Sequence, residues 1–151
     1  ENSRLKAQFF SKKTNMICIS DDSGLEIELL SGAPGIYSSR WAGSNNDFNL
    51  AIDKVFEALI KKDPNWTKRE NISARFVCSL TVCWPKGKLI SSEGIIYGNI
   101  SNTKRGNNGF GYDPIFLLKN YKQTFGEMEN KLKYKIDHRA KAYSKICKIF
   151  N

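Results

Sequence analysis

The strongest constraint on the fold is the segment from Ala74 to Trp84, in which apolar residues recur at every second position. A period of two is that of a β-strand. The turn residues Pro85-Lys86-Gly87-Lys88 then lead into a second predicted strand, Leu89 to Tyr97, so the pair predicts a hairpin. One face of the first strand would carry Phe76, Cys78, Leu80, Val82 and Trp84, and the other Arg75, Val77, Ser79, Thr81 and Cys83.

Three segments repeat apolar residues at the three- and four-residue spacing of a helix. The most regular runs from Asn45 to Lys62, where Ser44 or Asn45 can cap the start and Lys61-Lys62 favour the helix dipole at the end. A short helix is predicted from Glu1 to Phe10, with Leu5, Phe9 and Phe10 at helical spacing. The third is predicted from Asp137 through Ala142, Ile146, Ile149 and Phe150.

Short apolar runs predict the remaining strands. Met16 to Ile19 is predicted as a buried strand and Leu25 to Leu29 as a second one, with the acidic turn Asp21-Asp22-Ser23-Gly24 between them. The rest consists of two predicted loops, Gly32 to Gly43 and Asn99 to Pro114, and the apolar run Ile115 to Leu118.

Strands in hairpins with helices between and after them indicate a mixed α/β or α+β domain with a largely antiparallel or mixed sheet. The sequence has no G-x-G-x-x-G after its first strand and no G-x-x-x-x-G-K-[ST], so Rossmann and P-loop nucleotide folds are excluded. The 151 residues fit a single domain, predicted over 1–151.

The net charge of +9 suits a polyanionic partner. Many lysines lie where a helix would present them to water, so a solvated basic surface is favoured over a nucleic-acid interface. The four cysteines lack C-x-x-C spacing, which argues against disulfides and zinc and favours a reducing compartment. No apolar run approaches the roughly 18 residues of a membrane span, so we expect a cytoplasmic protein with no membrane partner.

Adjacent carboxylates at Asp21 and Asp22 end a predicted strand, where neighbouring side chains point to opposite faces. One can therefore reach a site while the other braces the turn. Mg²⁺ usually takes one or two carboxylates together with substrate phosphates, so such a turn suits a phosphate-handling site. The alternative is a turn whose Asp and Gly serve only the backbone, and the motif by itself favours that alternative.

A second candidate is the glycine-rich segment Arg105 to Pro114, in which Phe110 and Tyr112 offer ring faces for a base and Asp113 could contact its edge. The alternative is a hairpin loop whose aromatic side chains pack into the core. The third candidate is Asp137-His138-Arg139 at a predicted helix N-terminus, which favours anions. The alternative for that motif is an exposed helix start, and the motif by itself is a weak signal.

Taken together, the motifs supply a carboxylate for metal, aromatic rings for a base and cations for a phosphate or carbonyl, which nucleotide hydrolysis needs. The chain here resembles the inosine triphosphate pyrophosphatase (Ham1-like) family of non-canonical purine NTP pyrophosphatases. The matching segments are Glu1-Asn2, Lys6-Ala7, Asp21 to Leu25, Gly32 to Ser38, Arg75-Phe76, Gly109 to Phe116 and His138-Arg139-Ala140.

The resemblance implies an elongated fold with a central mixed sheet flanked by helices, a homodimer, dependence on Mg²⁺, and hydrolysis of ITP, dITP and XTP to the monophosphate and pyrophosphate. Asp22 matches the proton acceptor and metal ligand, with Asp21 beside it. Substrate contacts are implied for Ser23, Phe110, Gly111, Tyr112, Asp113 and Lys133, and for His138 and Arg139, the pair that contacts the 6-oxo base.

Two departures from the family pattern carry consequences. Family members begin with a strand, a phosphate-binding loop and an acidic metal ligand, whereas this sequence starts at Glu1 beyond them, which predicts an N-terminally truncated chain. Asp137 stands where the family usually has Ser, and Asp caps a helix equally well. The missing loop and the basic charge motivate the rival hypothesis, a catalytically inactive remnant that binds nucleotide or RNA.

Overall fold

The computed structural model describes residues 1–149. Its helices and strands confirm the mixed α/β class. In chain order they are α1 (Asn2–Thr14), β1 (Cys18–Ile27), α2 (Ser38–Trp41), α3 (Phe48–Lys62), β2 (Ser73–Cys83), β3 (Leu89–Ile100), β4 (Phe116–Leu118), α4 (Asn130–Ile136) and α5 (His138–Cys147). Within the described range, no helix is long and apolar enough to cross a membrane.

The four strands form one sheet in the order β1-β2-β3-β4. The predicted hairpin is confirmed: the Trp84 amide donates to Lys88 O at 2.9 Å, and the Gly87 amide to Trp84 O at 2.8 Å. β3 then pairs antiparallel with β4, with Gly98 opposite Leu118. The alternation of β2 therefore predicted the pairing that organises the sheet.

Two compact units can be distinguished along the chain. Unit 1 consists of Glu1–Ser23, Val77–Ile95 and the residues from Ile136 onward, and unit 2 consists of Gly24–Phe76 and Ile96–Lys135. The last residue of the predicted C-terminal helix, Phe150, lies outside the described residues, and α5 ends at Cys147.

In unit 1, α5 packs closely on β3 at Gly94. A Cβ at that position would overlap the carbonyl oxygen of His138 and the amide nitrogen of Ala142, so the contact requires glycine. The Nζ atoms of Lys141 and Lys145 donate to backbone carbonyls of β3, at 3.1 Å and 2.6 Å. These contacts fix α5 on the sheet along most of its length.

Helix α1 is longer than predicted, and it buries a different face. Leu5, Phe9 and Phe10 are all more than half exposed, whereas the buried residues are Ser3, Ala7 and Ser11. The small side chains permit close packing, and Ser3 Oγ lies 2.9 Å from Ser79 Oγ on β2. The hydrogen bonds of the buried Ser3 hydroxyl therefore determine which face of α1 packs on the sheet. The spacing of apolar residues does not predict such bonds.

The largest correction concerns the acidic segment. Residues 18–27 form one continuous strand, so the predicted turn between two strands is wrong. The apolar run before it is not buried either, because Met16, Ile17 and Ile19 are each more than half exposed. The Asp21 carboxylate accepts a hydrogen bond from Arg139 of α5, and the Asp22 carboxylate accepts one from Asn2 of α1. Both carboxylates therefore have partners within a strand, and no solvent-exposed turn is needed to accommodate them.

Unit 2 has the larger apolar core. Helix α3 buries Ala51, Ile52, Val55 and Leu59. Its cap is Asp47, whose carboxylate accepts from the amides of Asn49 and Leu50, so the prediction of Ser44 or Asn45 as the cap was wrong. The segment predicted as an irregular loop contains α2 and a 3₁₀ turn at Gly35–Tyr37.

Replacing Gly94 with Ala should lower the free energy of unfolding by about 2 kcal/mol, because a new methyl group would overlap backbone atoms of α5. The measurement is the urea midpoint at an unchanged slope. Gly87→Ala is the control, since its Cβ would meet nothing within 4 Å and it adds only strain at φ +87°, worth about 1 kcal/mol. An equal or smaller loss for Gly94→Ala would contradict the close packing.

Candidate functional site

The carboxylate of Asp22 is held by two donors from α1. Asn2 Nδ2 donates to Oδ2 at 3.0 Å, and Lys6 Nζ donates to Oδ1 at 3.1 Å. Lys6 Nζ also lies 2.5 Å from the backbone carbonyl oxygen of Asp21. Each carboxylate oxygen of Asp22 therefore has its own donor, which fixes the plane of the group while its side chain stays about one-third exposed.

Asp21 has partners of a different kind. Arg139 Nε donates to its Oδ2 at 2.9 Å, and Ser23 Oγ donates to the same oxygen at 3.3 Å. Arg139 Nη1 lies 3.2 Å from His138 Nε2. Successive side chains of a strand point to opposite faces, which is why the two neighbouring carboxylates serve separate networks.

The start of α5 agrees with the sequence prediction. Asp137 is the N-cap, and its Oδ1 accepts from the Ala140 amide at 2.8 Å. The aspartate thus performs the capping that Ser would perform. His138 and Arg139 follow as the first helical residues, and His138 is buried.

A buried thiol lies beside this cluster. Burial raises the pKa of the Cys78 thiol, while a hydrogen bond with Ser23 opposes that rise. The thiolate is the reactive form of cysteine, so a raised pKa keeps Cys78 inert as a nucleophile. All four cysteines are free.

In unit 2, Asp113 organises the glycine-rich segment. Its Oδ2 accepts from the Phe110 amide at 2.8 Å and forms an ion pair with Lys133 Nζ at 2.8 Å. A Cβ at Gly109 would overlap that carboxylate, and Gly109 has φ +73°, so glycine is required twice over. Both charged side chains are almost fully buried.

The two aromatic residues of this segment have different environments. Phe110 is 53% exposed, and the Lys133 ammonium lies 5.1 Å from its ring centroid. Tyr112 is buried, donates its hydroxyl to Ser38 O at 2.8 Å, and has its pKa raised by burial. The exposed ring of Phe110 is thus accessible for stacking with a base. The ring of Tyr112 instead packs in the core, which was the alternative given for this segment. Gly111, between them, has φ +68°.

The structure therefore assembles the predicted residues in two groups. Unit 1 brings together Asp21, Asp22, Ser23, His138 and Arg139, and unit 2 brings together Phe110, Gly111, Tyr112, Asp113 and Lys133. Sequence reasoning assigned no role to Asn2 and Lys6. Their spacing of four places both on one face of a helix, which was the available signal.

A metal ion would depend on few protein ligands. Among residues 1–149, no three His, Cys, Asp or Glu side chains form a metal-binding group. Mg²⁺ nevertheless needs only one or two carboxylates when substrate phosphates supply other oxygens. Asp22, oriented and partly exposed, fits that requirement; Asp21 is engaged by Arg139.

Comparison with known proteins gives a consistent result. The Ham1 family model matches residues 1–149. The chain is 43% identical over 145 residues to a dITP/XTP pyrophosphatase of Zymomonas mobilis, covering 96% of this chain and 68% of the relative. It is 41% identical over 149 residues to a dITP/XTP pyrophosphatase of Bacillus subtilis, covering 99% and 73%.

Solved structures agree. A Ham1 protein from Coxiella burnetii superposes with a TM-score of 0.88 at 35% identity, covering 99% of this chain and 74% of that chain. The Ham1 protein of Staphylococcus aureus gives a TM-score of 0.85 at 36% identity, with the same coverage.

Replacing Lys133 with Met should cost about 3 kcal/mol of unfolding free energy, because the Asp113 carboxylate would stay buried without its ion-pair partner. Lys133→Met combined with Asp113→Asn should cost less than Lys133→Met alone, since no charge is then left buried. Chemical denaturation measures both.

The control is Lys104→Met, which removes a more exposed partner of Asp53 and should cost below about 1 kcal/mol. A loss for Lys133→Met no larger than this control would show that the buried pair does not stabilise the fold.

Proposed function

The chain belongs to the Ham1 family, and on that premise we propose that it hydrolyses non-canonical purine nucleoside triphosphates to the monophosphate and pyrophosphate. The predicted family is thereby confirmed. The observation that carries the activity is the close similarity of nearly the whole chain to dITP/XTP pyrophosphatases, together with an oriented carboxylate at Asp22. These similarities do not favour the alternative of a remnant that only binds nucleotide or RNA.

In the proposed reaction, a water molecule attacks the α-phosphorus and pyrophosphate leaves. Asp22 orients this water and accepts its proton, acting as a general base. Asn2 and Lys6 fix the carboxylate plane, so the oxygen that faces the water is set before substrate binds. Lys6 also places a positive charge beside the position where the phosphates would gather.

We propose that Asp22 is also the protein ligand of Mg²⁺. The bound ion would draw phosphate oxygens together and offset the charge that develops on the leaving pyrophosphate. The implied second ligand, Asp21, stays a prediction, because its carboxylate is engaged by Arg139 in this structure.

The purine would be recognised by donors and by stacking. Arg139 would donate to the 6-oxo group of hypoxanthine or xanthine, with His138 beside it as the other member of the implied pair, whereas adenine carries an amino donor there and would be disfavoured. Within unit 2, the exposed ring of Phe110 suits stacking with a base. Lys133 and Asp113 support that ring from within the unit.

Further substrate contacts are proposed for Ser23, Gly111 and Tyr112. Ser23 is oriented by the hydrogen bond that its hydroxyl donates to Asp21. Tyr112, with its ring buried, would contribute through its backbone. The homodimer and the cytoplasmic location stay predictions of the family resemblance and of the free thiols.

Asp22→Asn should lower the rate of pyrophosphate release from ITP at least about a hundredfold, because an amide cannot accept the proton. Asn keeps the size of the side chain and an oxygen that accepts from Asn2 or Lys6, so the circular dichroism spectrum and melting temperature should stay close to those of the unsubstituted chain.

Asp53→Asn removes a more exposed carboxylate paired with Lys104 and serves as the control with unchanged activity. If Asp22→Asn retained the rate of the Asp53→Asn control, Asp22 would not be the base.

A further inference from the structure

We propose that Asp21 is a positioning residue for base selectivity: it holds the Arg139 guanidinium in a charge-balanced state, so that Arg139 selects a neutral 6-oxo group over a phosphate. This inference rests on the proposed function and deepens it. It assigns different tasks to the two adjacent carboxylates of β1, selectivity to Asp21 and chemistry to Asp22.

The first argument is the geometry of the contact. Arg139 Nε donates to Asp21 Oδ2 at 2.9 Å, and this oxygen also accepts from Ser23 Oγ. A guanidinium is planar, so a bond at Nε fixes the direction of its remaining donors. One carboxylate oxygen thus orients two of the side chains proposed to contact substrate.

The second argument is charge. An uncompensated arginine binds phosphate strongly, often through two parallel hydrogen bonds, and phosphate is common to every nucleotide. An arginine paired with a carboxylate still donates hydrogen bonds but attracts anions less. The groove beside the pair is lined otherwise by uncharged residues, among them Ile19, Leu80 and Tyr143. Such surroundings suit a neutral carbonyl on a flat ring.

The third argument is the separation of the two networks. Asp22 is oriented by Asn2 and Lys6 from α1, whereas Asp21 is engaged through its side chain by Arg139 from α5. The Lys6 contact to Asp21 uses the backbone carbonyl, which no side-chain substitution removes. A change at Asp21 should therefore alter selectivity while leaving the general base in place.

The test is Asp21→Asn, which keeps the shape of the side chain and removes its charge. We expect the ratio of kcat/KM for ITP over ATP to fall at least about tenfold, the loss of roughly one charge-assisted hydrogen bond. Because Asp21 is also the implied second metal ligand, the readout of its positioning role is this selectivity ratio and not the kcat for ITP alone.

Asp63→Asn is the matched control, because Asp63 Oδ2 also pairs with an arginine Nε, that of Arg69, at 2.6 Å. It should leave the ratio unchanged. Asp21→Glu keeps the charge and should retain more selectivity than Asp21→Asn. If Asp21→Asn does not give a folded protein, Asp21→Ser also removes the charge, and it should show the same fall in the ratio of kcat/KM for ITP over ATP.

Binding of IMP and AMP, measured by calorimetry, gives a readout that needs no turnover. The preference for IMP should fall in parallel with the kinetic ratio. An unchanged preference in the folded variants, or a loss of kcat at constant selectivity, would overturn the role of Asp21. Failure of the parent chain to hydrolyse ITP would instead contradict the proposed function, and the IMP and AMP comparison would still decide the role of Asp21.

Discussion

The proposed activity depends on the way one strand presents two neighbouring carboxylates to two different helices. Because side chains alternate along β1, Asp22 meets Asn2 and Lys6 of α1 while Asp21 meets Arg139 of α5. Each carboxylate is desolvated only in part, and each is held by donors that satisfy its charge. The continuous strand is what places both helices around one acidic segment.

In unit 2, a buried ion pair fixes the side chains proposed to contact substrate. Burial makes the Asp113–Lys133 pair costly to break, so the carboxylate that fixes the Phe110 amide cannot readily leave. Lys133 also lies near the rings of Phe110 and Phe125. A rigid support beneath an exposed ring is what a stacking platform needs, because an ordered ring loses less entropy when a base binds.

The sequence predicted the parts of this arrangement that depend on local pattern. The hairpin of β2 and β3 follows from alternation, and the cap at Asp137 follows from residue type. The turn at Asp21 was predicted wrongly, because Asp and Gly favour turns locally, whereas here the Asp21 carboxylate pairs with Arg139 from a distant segment. The apolar face of α1 was misassigned for a related reason, since its buried side is fixed by Ser3 hydroxyl contacts with β2.

Hydrolysis of ITP in ¹⁸O-labelled water tests the central claim most directly. If a water oriented by Asp22 attacks the α-phosphorus, the products are IMP and pyrophosphate, and the label appears in the IMP phosphate and not in the pyrophosphate. Mass spectrometry of the separated products measures its position. Label in pyrophosphate, or release of IDP and inorganic phosphate, would contradict the account.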